Sequence, residues 1–264
     1  MKGLASLLIA GILTSVAALA GPLEMTFGAG PSAAALGTLN ESIGVINALI
    51  GELNETFDVH PDVSGTIDLL DPMGSGISLR AAERLWLTDW LGLGAGVEYF
   101  STSTATQGFY EGSETSTIDI AVDLQSVGVT LGGRLTFLDV GLRLAAEAAA
   151  GYYYLICDRS TTFEVPSEYP DVLSSVPPDG AGRYTGGILG FEIGFSISYP
   201  IAQWFTIGST VSYRATGQTS VTDATGAELD LVGDEEPDSI DLDGVTVRLA
   251  FSINIDLSPD GEKE

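Results

Sequence analysis

From Leu23 to the C-terminal region, apolar and polar residues alternate with a period of two. The last segment shows it over the longest run: Val245, Val247, Leu249, Phe251, Ile253, Ile255 and Leu257 alternate with Thr246, Arg248, Ala250, Ser252, Asn254 and Asp256. Strict alternation means a strand whose two faces meet different surroundings. The same reading gives seven earlier strands, over about 23–30, 76–87, 90–103, 118–137, 140–156, 184–199 and 205–219. In the fourth, the apolar phase switches near Gln125-Ser126, which predicts a bulge. Short turns near 88–89, 138–139 and 200–202 alternate with long segments at 31–75, 104–117, 158–183 and 220–239. Eight strands with short connections at one end and long ones at the other predict an all-β fold, an eight-stranded antiparallel up-and-down barrel.

One segment has a different period. Leu36, Leu39, Ile43, Ile46, Ile50, Leu53 and Phe57 recur at steps of three and four, predicting one amphipathic helix over about 32–57, with Ser32 as its N-cap. Residues 1–20 carry Lys2, then an apolar run, and end Ala18-Leu19-Ala20, the pattern of a secretory signal peptide. The expected organisation is therefore a signal peptide (1–20), a barrel (21–257) whose long first loop (31–75) holds the helix, and a polar tail (258–264).

Three features set the direction of the alternation. The only lysines are Lys2 and Lys263, so no strand carries the lysine-studded face of a soluble barrel. The polar phase is rich in small residues, among them Gly92, Gly94, Gly96, Gly128, Gly132, Gly190 and Gly194. Aromatic residues gather at the strand ends: Trp86, Trp90, Phe137, Tyr199, Trp204 and Phe205 by the short turns, and Tyr99, Tyr152, Tyr154, Tyr184 and Tyr213 toward the long loops. Two aromatic belts about nine to eleven residues apart match the two interfaces of a bilayer. The expectation is apolar residues outward and polar residues inward; a secreted ligand carrier would have the reverse.

With these features the chain resembles the small outer-membrane β-barrels of the OmpA, OmpX and OmpW type, over about residues 1–257. The resemblance is architectural and implies an eight-stranded transmembrane barrel in the outer membrane, with the bilayer as its partner. Such barrels end on an aromatic residue, whereas this strand runs on into Ser258-Pro259-Asp260; assembly would then depend on an internal signal such as Phe251-Ser252-Ile253.

Charge sharpens the picture. With 36 acidic against 10 basic residues, the formal net charge is −26, which excludes nucleic-acid binding. Arg80, Arg84, Arg134, Arg143, Arg214 and Arg248 fall on the inward phase, as do Glu24, Glu98, Glu147 and Glu192. Buried charges must pair, and an eight-stranded barrel is just wide enough for side chains to fill, so an ion-paired, plugged lumen is expected. Glu83 alone lies on the outward phase. The remaining acids crowd the first loop and residues 220–239, making either a solvated acidic rim or, through Asp234, Glu235, Glu236 and Asp238, oxygen ligands for divalent cations that bridge to lipopolysaccharide. No resident cofactor is expected.

The functional reading is a monomeric outer-membrane barrel with a structural or surface-interaction role. The alternatives are a narrow channel or uptake route gated by the first-loop helix, and a lipid-modifying enzyme. The enzyme reading rests on His60 alone, with no catalytic residues assigned. Cys157 on the inward phase reads as a packed residue, and one cysteine excludes a disulfide framework.

Overall fold

The computed structural model describes residues 22–59, 64–111, 115–164, 180–233 and 236–255. The expected signal peptide, the polar tail, His60, Asp234 and Glu235 lie outside them.

Eight long strands follow the alternating segments: β1 (Leu23–Ala33), β3 (Ser75–Trp86), β4 (Leu91–Glu111), β5 (Thr115–Asp139), β6 (Arg143–Glu164), β7 (Gly180–Ala202), β8 (Phe205–Thr216) and β11 (Gly244–Ile255). Each pairs antiparallel with its neighbours in the ring β1-β11-β8-β7-β6-β5-β4-β3, and pairing of β4 with β5 closes it. A closed ring leaves no edge among these strands. Short β2 (Ser64–Ile67) pairs with the far end of β4, and β9 (Thr219–Ser220) with β10 (Ser239–Ile240) forms a separate ribbon.

The strands are longer than the alternation predicts. β5 has 25 residues, more than twice the nine to eleven or so that span a bilayer. The expected bulge at Gln125-Ser126 is absent: β5 runs in unbroken register there with both β4 and β6. Register instead shifts at Thr136/Leu138 and Pro200/Ala202, beside the short turns. What changes at 125–126 is the surroundings. Even-numbered residues point inward from Ile118 to Arg134 of β5, but Ser126, Gly128, Thr130, Gly132 and Arg134 face a polar interior, while Ile118, Ile120, Val122 and Leu124 face an apolar one. The odd, outward residues switch the opposite way, from Asp119, Asp123 and Gln125 to Val127, Leu131, Leu135 and Phe137. The barrel is thus two storeys of opposite polarity, one polar inside and apolar outside, the other apolar inside and polar outside.

The upper storey, at the long-loop end, is filled from within. Helix α1 spans Leu39–Asp58. It starts later than the periodicity predicts because Pro31, Ser32 and Ala33 continue β1 in register with β3; Ser32 caps nothing and its hydroxyl shares a 2.7 Å hydrogen bond with that of Thr246. Leu36, at positive φ in the turn before the helix, and Leu39, Ile43, Ile46, Ile50 and Leu53 on it are buried in one cluster. The cluster includes inward residues of four strands, such as Phe100, Tyr110, Val122, Leu155 and Ile188, with Leu229, Leu231 and Leu242 from the last long connection. The side chain of Phe57 is outside the described set.

Three asparagines set seven apart lock the chain that follows α1. Asn47 donates to the carbonyl of Leu70 at 2.9 Å and accepts its N–H at 2.7 Å. Asn54 does the same with Ile67, both at 3.0 Å, and Asn40 donates to the Met73 carbonyl at 2.7 Å. Seven helical residues rise about 10.5 Å, and three extended residues advance about 10 Å. The asparagine side of the helix therefore keeps step with the backbone from Ile67 to Met73.

Along the same side of α1, three or four positions from the asparagines, lie Gly44 and Gly51, where an added Cβ would meet nothing within 4 Å. Glycine inside a helix costs about 0.8–1 kcal/mol relative to alanine. Gly44→Ala and Gly51→Ala are each expected to stabilise the folded chain by about 0.5–1 kcal/mol, read as a rise in the urea midpoint.

Candidate functional site

The lower storey encloses five arginines and four glutamates in two layers. Strand pairing already sets acid opposite base: Glu24 faces Arg84, Arg80 faces Glu98, Arg134 faces Glu147 and Glu192 faces Arg214. The ion pairs then partly ignore these partners and reach across the lumen.

In the layer nearer the short turns, Glu24 Oε1 accepts from Arg84 Nη1 at 2.6 Å and from Arg134 Nη1 at 3.1 Å. Glu147 lies 3.7 Å from Arg84 Nη2 and 3.6 Å from Arg134 Nε. In the upper layer, Arg248 bridges two carboxylates, donating from Nη2 to Glu98 Oε1 at 2.6 Å and from Nη1 to Glu192 Oε1 at 3.0 Å. Its Nε donates to Ser78 Oγ at 3.0 Å. Arg80 donates to Glu192 at 3.0 Å and Arg214 to Glu98 at 3.1 Å. The planar guanidinium fork makes such multiple bridging feasible.

Arg214 joins the storeys. Below, it pairs with Glu98; above, its Nε donates to the carbonyl of Leu242 at 3.1 Å. Its guanidinium lies 5.0 Å from the ring centre of Tyr153 and 5.9 Å from that of Phe100, within the range of cation–π attraction. The Tyr153 ring lies against Gly128, where any Cβ would collide with it, so glycine at 128 is what lets this aromatic floor close under the apolar core.

Not every candidate joins the network. Arg143 stays at the rim, its Nε donating to Asp139 Oδ2 at 2.9 Å across the turn. Glu83 is outward and half-buried, and its Oε1 is shielded without a hydrogen-bond partner. Of the aromatic residues, Trp90, Phe137, Tyr199, Trp204, Tyr152, Tyr154 and Tyr213 are exposed on the outer wall, with Tyr99 and Phe205 partly so. Trp86 lies instead on the inward phase, 6.0 Å beneath Arg84. Tyr184 also departs from the expected belt: it packs against the inner apolar cluster.

The acidic segment at 236–238 splits. Glu236 is exposed, whereas Asp238 is buried and accepts hydrogen bonds from Ser42 Oγ at 2.5 Å and Leu231 N–H at 2.8 Å. Its carboxylate ties the last connection to α1. Among the described residues, no group of three or more metal-ligating side chains is gathered. Cys157 is buried in the apolar cluster, and burial first, then nearby acids, push its thiol up to about 12. On the outer wall of the upper storey, Arg183 donates two 2.7 Å hydrogen bonds to Asp158 and holds its carboxyl below the usual range.

Sequence reasoning missed Asn40, Asn47 and Asn54, whose seven-residue spacing on the polar side of the helix was the available signal. It also missed Asp238 and Arg214 as links between storeys; nothing local in the sequence marks them.

No known family and no curated protein matches the sequence. Among solved structures, the chain is similar to the outer membrane protein OprG from Pseudomonas aeruginosa (14% identity, 89% of this chain and 96% of that one, TM-score 0.39). It is also similar to a major outer membrane protein from Thermus thermophilus (12%, 90% and 100%, 0.47) and to Ail, the attachment invasion locus protein of Yersinia pestis (11%, 90% and 100%, 0.38). The class that the chain's own strand ring defines is the closed, eight-stranded antiparallel barrel with one internal helix.

Proposed function

We propose that this protein is an integral outer-membrane barrel whose lower storey sits in the bilayer and whose upper storey stands above it as a rigid, acidic surface platform. The observation that carries this reading is the reversal of polarity along β5 without any break in register. An outward wall of Val127, Leu131, Leu135 and Phe137 suits hydrocarbon, and the outward Asp119 and Asp123 just above suit water. The aromatic residues on the outer wall then lie at the two membrane interfaces. No helix among the described residues is long and apolar enough to cross a membrane.

The role is structural or one of surface interaction, and the lumen is closed. Two cavities in it measure about 20 and 40 Å³, on the scale of single waters. Above them, the helix stripe is buried among strand residues rather than hung over an open mouth. Planar-bilayer recording tests this: the folded protein is expected to give no sustained current. A steady, solute-selective conductance would instead support a channel gated by α1.

A further inference from the structure

Charge in the lumen does not balance. Arg80, Arg84, Arg134, Arg214 and Arg248 face Glu24, Glu98, Glu147 and Glu192, an excess of one positive charge with every carboxylate ionised. A guanidinium does not give up its proton, so the lumen cannot shed this charge by titration of its arginines.

The excess belongs to the upper layer, where three arginines meet two glutamates, and two of those arginines reach one cavity. That cavity, of about 40 Å³, lies between the layers, lined by Arg80 and Arg248 from the upper one and by Arg84, Arg134 and Glu147 from the lower one, with Thr206 at its side. Three buried polar atoms in its wall are unused. Arg134 Nε donates no hydrogen bond, Glu147 lying at 3.6 Å, and neither Thr206 Oγ1 nor Ser196 Oγ has a hydrogen-bond partner. All three residues are only 6 % exposed, and leaving such groups unsatisfied is costly. A cation would be repelled here. Water would satisfy the donors but leave the charge.

We propose that this cavity is a binding site for one small monovalent anion of halide size, held by the Arg134 Nε–H, the Thr206 hydroxyl and the surrounding guanidinium groups. The anion completes the charge balance of the lumen and ties β5 to β8 through its two donors. The site depends only on the folded barrel interior, not on what surrounds the outer wall, so it stands or falls separately from the bilayer reading.

The test compares the unfolding temperature of the detergent-folded protein in sodium chloride, sodium bromide and sodium gluconate at equal ionic strength. Gluconate is too large for the cavity. Halide is expected to raise the midpoint by a few degrees in a saturable manner. In Thr206→Val, which keeps every ion pair, that advantage is expected to shrink while the midpoint in gluconate stays near the parent value. Crystals grown in bromide should show an anomalous peak between Arg134 and Thr206. Equal midpoints in halide and gluconate, a halide effect untouched by Thr206→Val, or a cavity holding only water in bromide would each overturn the proposal. Should the variant not fold, the bromide map of the parent protein decides.

Discussion

Glu98→Ala is expected to destabilise the barrel by about 3–5 kcal/mol, the usual cost of breaking a buried ion pair by removing one partner. The Glu98 carboxylate is shared by two guanidinium groups, at 2.6 Å from Arg248 and 3.1 Å from Arg214, and all three side chains are almost wholly enclosed. Without it, Arg248 keeps Glu192, but Arg214 is left with the Leu242 carbonyl and two ring faces. Glu98→Gln retains an acceptor and should lose less. Asp158→Asn supplies the surface control, because its pair with Arg183 is exposed and screened by water. Urea titration of the folded fraction, read from heat-modifiable gel migration, should rank the loss of midpoint as Glu98→Ala, then Glu98→Gln, then Asp158→Asn. Equal midpoints for Glu98→Ala and Asp158→Asn would mean that the lumen charges do not hold the lower storey together.

Ile46→Asp is expected to open the upper storey and leave the lower one closed. Ile46 sits mid-helix, 2 % exposed, in the apolar cluster. Truncating such a residue to alanine costs about 2–5 kcal/mol, and an unpaired carboxylate in its place costs more. The damage should be local, because below Arg214 the barrel is held by its own ladders and ion pairs rather than by α1. Limited proteolysis should cut Ile46→Asp between β1 and β3 and between β8 and β11, where the parent chain resists, while the strands of the lower storey stay protected. Equal protease resistance of variant and parent would show that the helix does not support the upper storey.

The parts of this fold that were legible in the sequence are those in which one physical rule acts alone. In β11, alternation without interruption identifies the strand and its two faces, and its lumen arginine follows from parity. The same parity places Arg80, Arg84, Arg134 and Arg214, since a side chain's face depends only on counting by two. The start of α1 was misplaced because Pro31 and Ser32 look like a helix entrance, whereas β-pairing with β3 claims them first. The supposed bulge in β5 was a misreading of a different kind. A change of apolar phase has two causes, an extra residue or a change in what lies on either side, and the sequence does not separate them. The helix that makes the interior apolar above Ser126 lies far back in the chain, before β3. Tyr184 was misassigned for the same reason: it stands on the inward phase, but in a storey where inward means apolar. The lumen contacts show the last limit. Register sets Glu98 opposite Arg80, yet its ion pairs run to Arg214 and Arg248 across the barrel, a choice made by the closed ring as a whole.

The reversal of polarity between the storeys is open to direct measurement on β5. Spin labels placed one at a time on the outward positions 119, 121, 123, 125, 127, 129, 131, 133, 135 and 137 of the bilayer-reconstituted protein would be probed with oxygen, which concentrates in lipid, and with a water-soluble nickel chelate. The expected profile is dominated by the chelate from 119 to 125 and by oxygen from 127 onward, with a single crossover between them and a return toward the chelate only at the short turn. A profile dominated by the chelate along the whole strand would contradict the account, because Val127 to Phe137 would then face water and the outer wall would not be a membrane surface.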